Sequence, residues 1–146
     1  MPSATNTVTI NRPVDAVFAY VTDGMNGGKW RSGVLETEHV SGSGVGAVYR
    51  QGVKGPGGRR VAADYKVTAF EPGRRMAFEA ISGPVRPTGE FRFAEVDGGT
   101  RVTFSLDAQL SGWKALVMGG AVQKTMDAEV GATERLKQVL ETPAAG

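Results

Sequence analysis

The chain has 146 residues, 40% of them apolar, with no cysteine and a formal charge of +2. A chain of this length buries roughly 70% of its unfolded surface, so we expect one domain whose core needs neither a disulfide nor a metal. The missing thiols exclude cysteine catalysis and thiolate zinc sites, and the small net charge argues against a nucleic-acid partner.

The first predicted elements are a strand and a helix that follow each other closely. Val8 and Ile10 alternate with polar residues, which is typical of a half-buried strand. Pro13 suits the first position of a helix. The apolar residues that follow at helical spacing are Val14, Val17, Phe18 and Val21. The glycine-rich residues 25–31 are predicted to form a short helical turn or loop that carries Trp30.

Between Val34 and Gln109 the apolar period is mostly two, and Gly and Pro clusters interrupt it at regular intervals. This pattern predicts five or six further strands in an antiparallel meander. One face is expected to be apolar and to carry Val61, Ala63, Tyr65, Val67, Met76, Phe78, Ala80, Phe91, Phe93, Val102, Phe104 and Leu106. The opposite, solvated face is expected to carry Asp64, Lys66, Glu79, Glu90, Arg92, Arg101 and Asp107.

The last predicted element is a long helix over residues 112–141, because the apolar period returns to that of a helix. Its apolar stripe is formed by Met118, Val122, Met126, Val130, Thr133, Leu136 and Leu140. We expect this stripe to meet the apolar face of the sheet. Gly119 and Gly120 each cost roughly 1 kcal/mol relative to Ala inside a helix. They indicate a close approach of the sheet or a ligand, or a pliable point in the helix.

Three segments carry a family resemblance. Residues 11–23, Asn-Arg-Pro-Val-Asp-Ala-Val-Phe-Ala-Tyr-Val-Thr-Asp, followed by Trp30, resemble the opening of the SRPBCC superfamily of START-like, helix-grip proteins. Residues 65–78 resemble the central hairpin of its polyketide cyclase/dehydrase branch, and residues 99–104 resemble the strand after it. The resemblance covers residues 5–141 as a single domain, and we expect residues 1–4 and 142–146 to be flexible tails.

The resemblance implies an α+β helix-grip fold. A curved antiparallel sheet of about six or seven strands would wrap around the long C-terminal helix, with one or two short helices after the first strand. An apolar cavity would lie between the sheet and the C-terminal helix. The implied function is binding or carriage of a hydrophobic or amphipathic small molecule, lipid- or polyketide-like, in that cavity. Two alternatives stay open, a cyclase/dehydrase-type enzyme that uses the same cavity and a chaperone-activator-like interaction module.

Few residues qualify as catalytic. His39 is the only histidine, the residue type suited to act as acid or base near neutral pH, and Tyr65 offers a hydroxyl on the apolar face, so these two are the candidates. The alternation around His39 does not decide which side of its strand faces inward. Tyr49 and Arg50 alternate, so only one of them faces inward. The expected ligand-binding residues are Trp30, Tyr49, Tyr65, Phe78, Phe91, Met118, Val122 and Met126. We expect non-catalytic binding, since few ionisable groups face inward.

No residue pattern indicates a metal or a cofactor. The longest run without a polar side chain, residues 115–122, is far shorter than the ~20 residues of a spanning helix, so we expect no integral membrane segment. The N-terminus lacks a basic segment followed by an apolar one, which predicts a cytoplasmic protein without a secretory signal. The expected partner is a hydrophobic small molecule, and both a monomer and a homodimer stay open.

Overall fold

The structure is a computed structural model that describes residues 3–31, 33–55, 58–82, 86–109 and 113–142, without the side chains of residues 113–118. Met118, predicted as a cavity residue, therefore lies outside the described side chains. Residues 1–2 and 143–146 of the predicted tails also lie outside the described residues. Within the described part of the chain, no helix has both the length and the apolar character needed to cross a membrane.

The described residues form eight strands and four α-helices. The strands are β1 (Ser3–Ile10), β2 (Val34–Ser41), β3 (Val48–Lys54), β4 (Arg60–Ala62), β5 (Tyr65–Glu71), β6 (Arg75–Ala80), β7 (Thr88–Val96) and β8 (Gly99–Asp107). The helices are α1 (Val14–Thr22), α2 (Gly27–Trp30), α3 (Trp113–Gly131) and α4 (Thr133–Glu141), and a 3-10 turn at Gly24–Asn26 connects α1 to α2. The predicted α+β helix-grip fold is confirmed.

All eight strands belong to one antiparallel sheet, in the order β1-β8-β7-β6-β5-β3-β2, and the three-residue β4 pairs with β3 beside this path. The first strand pairs with the last along its whole length, from Ser3 opposite Asp107 to Ile10 opposite Thr100. Ala4 is already buried in this strand, just before the predicted domain start at residue 5. The edges of the sheet are β1 and β2.

In the later strands, the residues that alternation predicts to face inward form the core. Phe91, Phe93 and Phe104 are buried, whereas Arg92 and Arg101 on the same strands are exposed. Directly paired residues on the inner face lie close enough to pack as cross-strand pairs, and the rings of Phe91 and Phe104 stack with their centroids 4.2 Å apart. The inner face of the sheet is therefore lined with aromatic side chains.

The C-terminal helix is bent, because α3 ends at Gly131 and α4 begins at Thr133. The Thr133 hydroxyl donates to the Val130 carbonyl over 2.8 Å and accepts from the Asn6 side-chain amide of β1 over 2.6 Å. A hydroxyl that bonds back to the preceding turn often bends a helix. A Cβ at Gly119 or Gly120 would meet no described atom within 4 Å, so the described residues make no close approach there.

Candidate functional site

A cavity of about 100 Å³ lies between the inner face of the sheet and residues 24–31, which we call the cover segment. Its lining is formed by Val21, Gly24, Gly27, Trp30, Arg31, Gln51, Ala63, Tyr65, Met76, Phe78, Ala80, Pro87 and Phe91. Most of these side chains are apolar. The polar exceptions are Arg31, Gln51 and Tyr65, so the cavity combines apolar walls with a few polar groups, as ligand sites generally do.

The cover segment reaches the sheet at a glycine. The Asp23 carboxylate accepts a hydrogen bond of 3.0 Å from the Met25 backbone N–H and so caps the 3-10 turn. Gly24 then packs directly on two tyrosines. A Cβ at this position would lie 2.6 Å from Cε1 of Tyr49 and closer still to the hydroxyl oxygen of Tyr65. Only a residue without a side chain lets the cover segment approach this closely.

Trp30 seals the cavity from the cover side. The side chain is buried, and its ring meets Phe91 and Phe104 edge-on with centroids 6.1 and 6.2 Å away. Edge-to-face contacts of this kind are favourable because the positive ring edge faces a negative ring face. Phe78 completes the aromatic wall, with its ring 5.4 Å from that of Tyr65. Trp30, Tyr65, Phe78 and Phe91, all predicted to bind the ligand, line this one cavity.

Tyr65 presents a protonated hydroxyl beside the cavity. Burial raises the pKa of Tyr65 above its ordinary value, while the positive charge of Arg31 acts in the opposite direction and is the smaller effect. The side chain is only 8% exposed, and its hydroxyl has no hydrogen-bond partner among the described residues. The Tyr65 hydroxyl is therefore a donor with free capacity toward a ligand oxygen.

His39 is connected to Tyr65 only through a stack of rings. The centroids of His39 and Tyr49 lie 4.8 Å apart, and those of Tyr49 and Tyr65 lie 5.1 Å apart. His39 itself is exposed, and its Nε2 donates to the Gly42 carbonyl over 2.6 Å. His39 is not among the residues that line the cavity. The ring of Tyr49 thus lies between the two catalytic candidates.

Strand pairing resolves the alternation that the sequence left open. His39 lies opposite Tyr49, and Thr37 lies opposite Gln51, so these residues share the inner side. Arg50 faces outward, where its guanidinium pairs with an exposed glutamate 3.2 Å away. Register shifts at both ends of β2 interrupt its period, and this is why alternation alone does not phase the strand.

The polar end of the cavity contains residues that sequence reasoning did not select. The Arg31 Nε donates to Oε2 of Glu129 on α3 over 2.7 Å, and the two side chains are only 17% and 18% exposed. A second guanidinium nitrogen of Arg31 lies 3.4 Å from the side-chain oxygen of Gln51, which is buried. This group joins the cover segment, the sheet and the C-terminal helix.

The sequence pattern contains a signal for two of these three residues, Gln51 and Glu129. Gln51 stands two positions after Tyr49 and therefore shares its inward side. Glu129 stands three positions after Met126, at the flank of the apolar helix stripe. Nothing in the sequence pairs Glu129 with Arg31, because the two residues are 98 positions apart.

The remaining predicted binding residues have different locations. Met126 is buried in the core, and Val122 is half-buried against it. Neither residue of α3 is among those that line this cavity. Tyr49 lies behind Tyr65, on the side away from Phe78. Among the described residues, no cluster of three or more His, Asp or Glu side chains could hold a metal ion.

Comparisons with known proteins identify relatives by family and by fold. The family model described as polyketide cyclase/dehydrase and lipid transport matches residues 1–141. TTHA0849 from Thermus thermophilus is a similar solved structure, with 19% identity over 99% of this chain and 100% of that chain and a TM-score of 0.82. No protein of curated function matches the chain.

Two further solved structures are similar over nearly their full lengths. The Zhui aromatase/cyclase from Streptomyces sp. R1128 is 20% identical, over 99% of this chain and 98% of that chain, with a TM-score of 0.69. A START superfamily protein from Mycobacterium smegmatis is 12% identical, over 95% of this chain and 97% of that chain, with a TM-score of 0.71. At these identities the similarity shows a shared fold.

Proposed function

The chain belongs to the polyketide cyclase/dehydrase and lipid transport family, and we propose that it binds an apolar or amphipathic small molecule under the cover segment. The observation that carries this proposal is the composition of the cavity wall. Apolar residues supply most of the lining, four of the lining side chains are aromatic, and Arg31, Gln51 and Tyr65 supply donors at defined points. Apolar area gives affinity in such a site, and a few polar groups fix the orientation of the ligand.

The size of the cavity sets a condition on the ligand. A cavity of about 150 Å³ is enough for benzene, and the present one measures about 100 Å³. A larger ligand therefore requires the cover segment to move away from the sheet. That movement would withdraw Gly24 from the two tyrosines and Trp30 from Phe91 and Phe104, so the contacts made by the ligand must compensate for those lost.

The cavity also bears on the enzyme alternative. A cyclase or dehydrase needs a group that takes up a proton as well as one that gives a proton. Burial raises the pKa of Tyr65, so this hydroxyl keeps its proton near neutrality and acts as a hydrogen-bond donor. His39, the other candidate, does not line the cavity. These observations favour binding without catalysis.

A filled cavity tests the proposal. Ala80 lies opposite Tyr65 in the sheet and lines the cavity, so Ala80→Phe would place a phenyl ring in the space. Ala19→Phe adds the same ring at an exposed position of α1 and serves as the matched control. Native mass spectrometry of freshly purified protein would detect a co-purifying ligand in the wild type and in Ala19→Phe, but not in Ala80→Phe.

Calorimetric titration with acetonaphthone, a flat aromatic ketone, gives a second measurement that does not depend on co-purification. Acetonaphthone should bind the wild type and Ala19→Phe with similar Kd values and should bind Ala80→Phe at least about tenfold more weakly, which corresponds to ~1.4 kcal/mol. Equal affinity for folded Ala80→Phe and for the wild type would contradict binding under the cover segment.

A further inference from the structure

We propose that the cavity selects uncharged carbonyl compounds over carboxylates, and that Glu129 sets this preference by neutralising Arg31; the inference rests on the proposed function. The guanidinium of Arg31 lines the cavity and would by itself attract an anion. The paired carboxylate of Glu129 lies 2.7 Å from its Nε. The carboxylate of Glu129 therefore offsets the charge of Arg31, and the protonated Tyr65 hydroxyl adds no charge.

Arg31 retains hydrogen-bonding capacity after it pairs with Glu129. A guanidinium has five N–H donors in a fixed plane, and the pair described above uses the one on Nε. Its contact to the Gln51 side-chain oxygen, at 3.4 Å, lies beyond the usual range of N–H···O bonds. A ligand oxygen can therefore accept from the outer nitrogens of Arg31 without displacing Glu129.

A carbonyl oxygen fits this end of the cavity. It accepts hydrogen bonds and brings no charge, so its burial costs far less hydration free energy than the burial of a carboxylate. The Tyr65 hydroxyl supplies one donor and Arg31 supplies another. The Tyr65 hydroxyl has no hydrogen-bond partner among the described residues, and the outer nitrogens of Arg31 have only the long contact to Gln51, so a bound carbonyl gives both groups an acceptor.

Binding a carboxylate at the same place costs more free energy than binding a carbonyl. Its charge would leave water and approach a guanidinium whose charge is already shared with Glu129. Two carboxylates near one cation repel each other. Both side chains of the pair are more than four-fifths buried, so solvent screens this repulsion poorly. The neutral pair thus disfavours fatty acids and other carboxylates.

Matched probes test the preference. Acetonaphthone and naphthoate share one ring system and the same number of heavy atoms, and they differ in whether the polar group is a ketone or a carboxylate. Calorimetric titration at neutral pH should give the wild type a Kd ratio of about tenfold or more in favour of acetonaphthone. Glu129→Gln leaves the Arg31 charge unpaired and should bring the ratio to one or invert it. Glu134→Gln, at an exposed position of α4, should leave the ratio unchanged.

A double variant separates charge from structural disturbance. Arg31→Gln combined with Glu129→Gln removes both charges, so the preference for acetonaphthone should return. Melting curves identify variants that do not fold. If Glu129→Gln does not fold, the double variant still tests the proposal, because the double variant should prefer the ketone. A wild type that binds both probes equally, or a folded Glu129→Gln with an unchanged ratio, overturns the selectivity alone. A wild type that binds neither probe overturns the proposed function as well.

Discussion

Two glycines of the cover segment should respond in opposite ways to the same substitution. An Ala side chain at Gly24 would place its Cβ 2.6 Å from Cε1 of Tyr49, whereas carbon atoms prefer about 3.5–4.0 Å. The cover segment or the ring must therefore move by roughly 1 Å. An Ala side chain at Gly28 would meet only Cγ1 of Val34, at 3.8 Å, which is an ordinary contact.

The expected magnitudes follow from these distances. Gly24→Ala should lower the free energy of unfolding by about 1–3 kcal/mol, as overpacking does. For a domain of this size, each kcal/mol corresponds to about 2–4 °C in Tm. Gly28→Ala should leave the stability unchanged or raise it by up to about 1 kcal/mol, because Ala is favoured over Gly in a helix.

Urea titrations followed by circular dichroism would measure both changes. A double variant, Gly24→Ala with Tyr65→Phe, removes the hydroxyl oxygen that the new Cβ approaches most closely. The double variant should therefore recover part of the loss, with a coupling energy of about 0.5 kcal/mol or more. If Gly24→Ala is as stable as Gly28→Ala, the cover segment does not pack on the tyrosines as described.

Three further predictions concern stability. Burial raises the pKa of Tyr65, so above about pH 10 this tyrosine ionises more readily in the unfolded chain, and the free energy of unfolding falls as the pH rises. Tyr65→Phe should remove up to about 1.4 kcal/mol of that loss per pH unit, measured by urea titrations at two pH values above about 10. An equal dependence of stability on pH in the variant and the wild type would contradict the prediction. Gly119→Ala and Gly120→Ala should each stabilise α3 by about 0.5–1 kcal/mol, since the new Cβ meets no described atom within 4 Å. A lower free energy of unfolding in urea titrations would contradict the open space around these two positions. Phe104→Ala should cost about 3–5 kcal/mol, because the side chain is 1% exposed and stacks on Phe91, whereas a loss below about 1 kcal/mol would place Phe104 outside the core.

The sequence predicts the sheet best where one face is exposed to solvent and the other is buried. In β7 and β8, residues such as Phe93 and Arg92 alternate without interruption, and the pairing of the two strands keeps this phase from end to end. In β2 both alternating sets mix polar and apolar residues, and two register shifts break the period. The inward position of His39 therefore depends on pairing with β3, which a single sequence does not encode locally.

The candidate site was predictable for its apolar wall and not for its polar end. Trp30 and Phe91 follow from aromatic content and alternation. Arg31, Gln51 and Glu129 come from the cover segment, the sheet and the C-terminal helix, and only the tertiary fold brings them together. Gly119 and Gly120 indicate either a close approach or a pliable point in the helix, whereas the helix is interrupted between Gly131 and Thr133, where the Thr133 hydroxyl bonds back to Val130.

The pairing of β1 with β8 has a consequence for the order in which the chain folds during synthesis. Ser3 finds its partner only when Asp107 has been made, and Gln123 and Lys137, which bond the backbone of β1, are made later still. At 5–20 residues per second, the apolar side of β1 waits roughly 5–20 s for its partner strand. Closure of this sheet is therefore a late event that spans nearly the whole chain, and the ribosome-bound intermediate exposes an unpaired strand at its beginning.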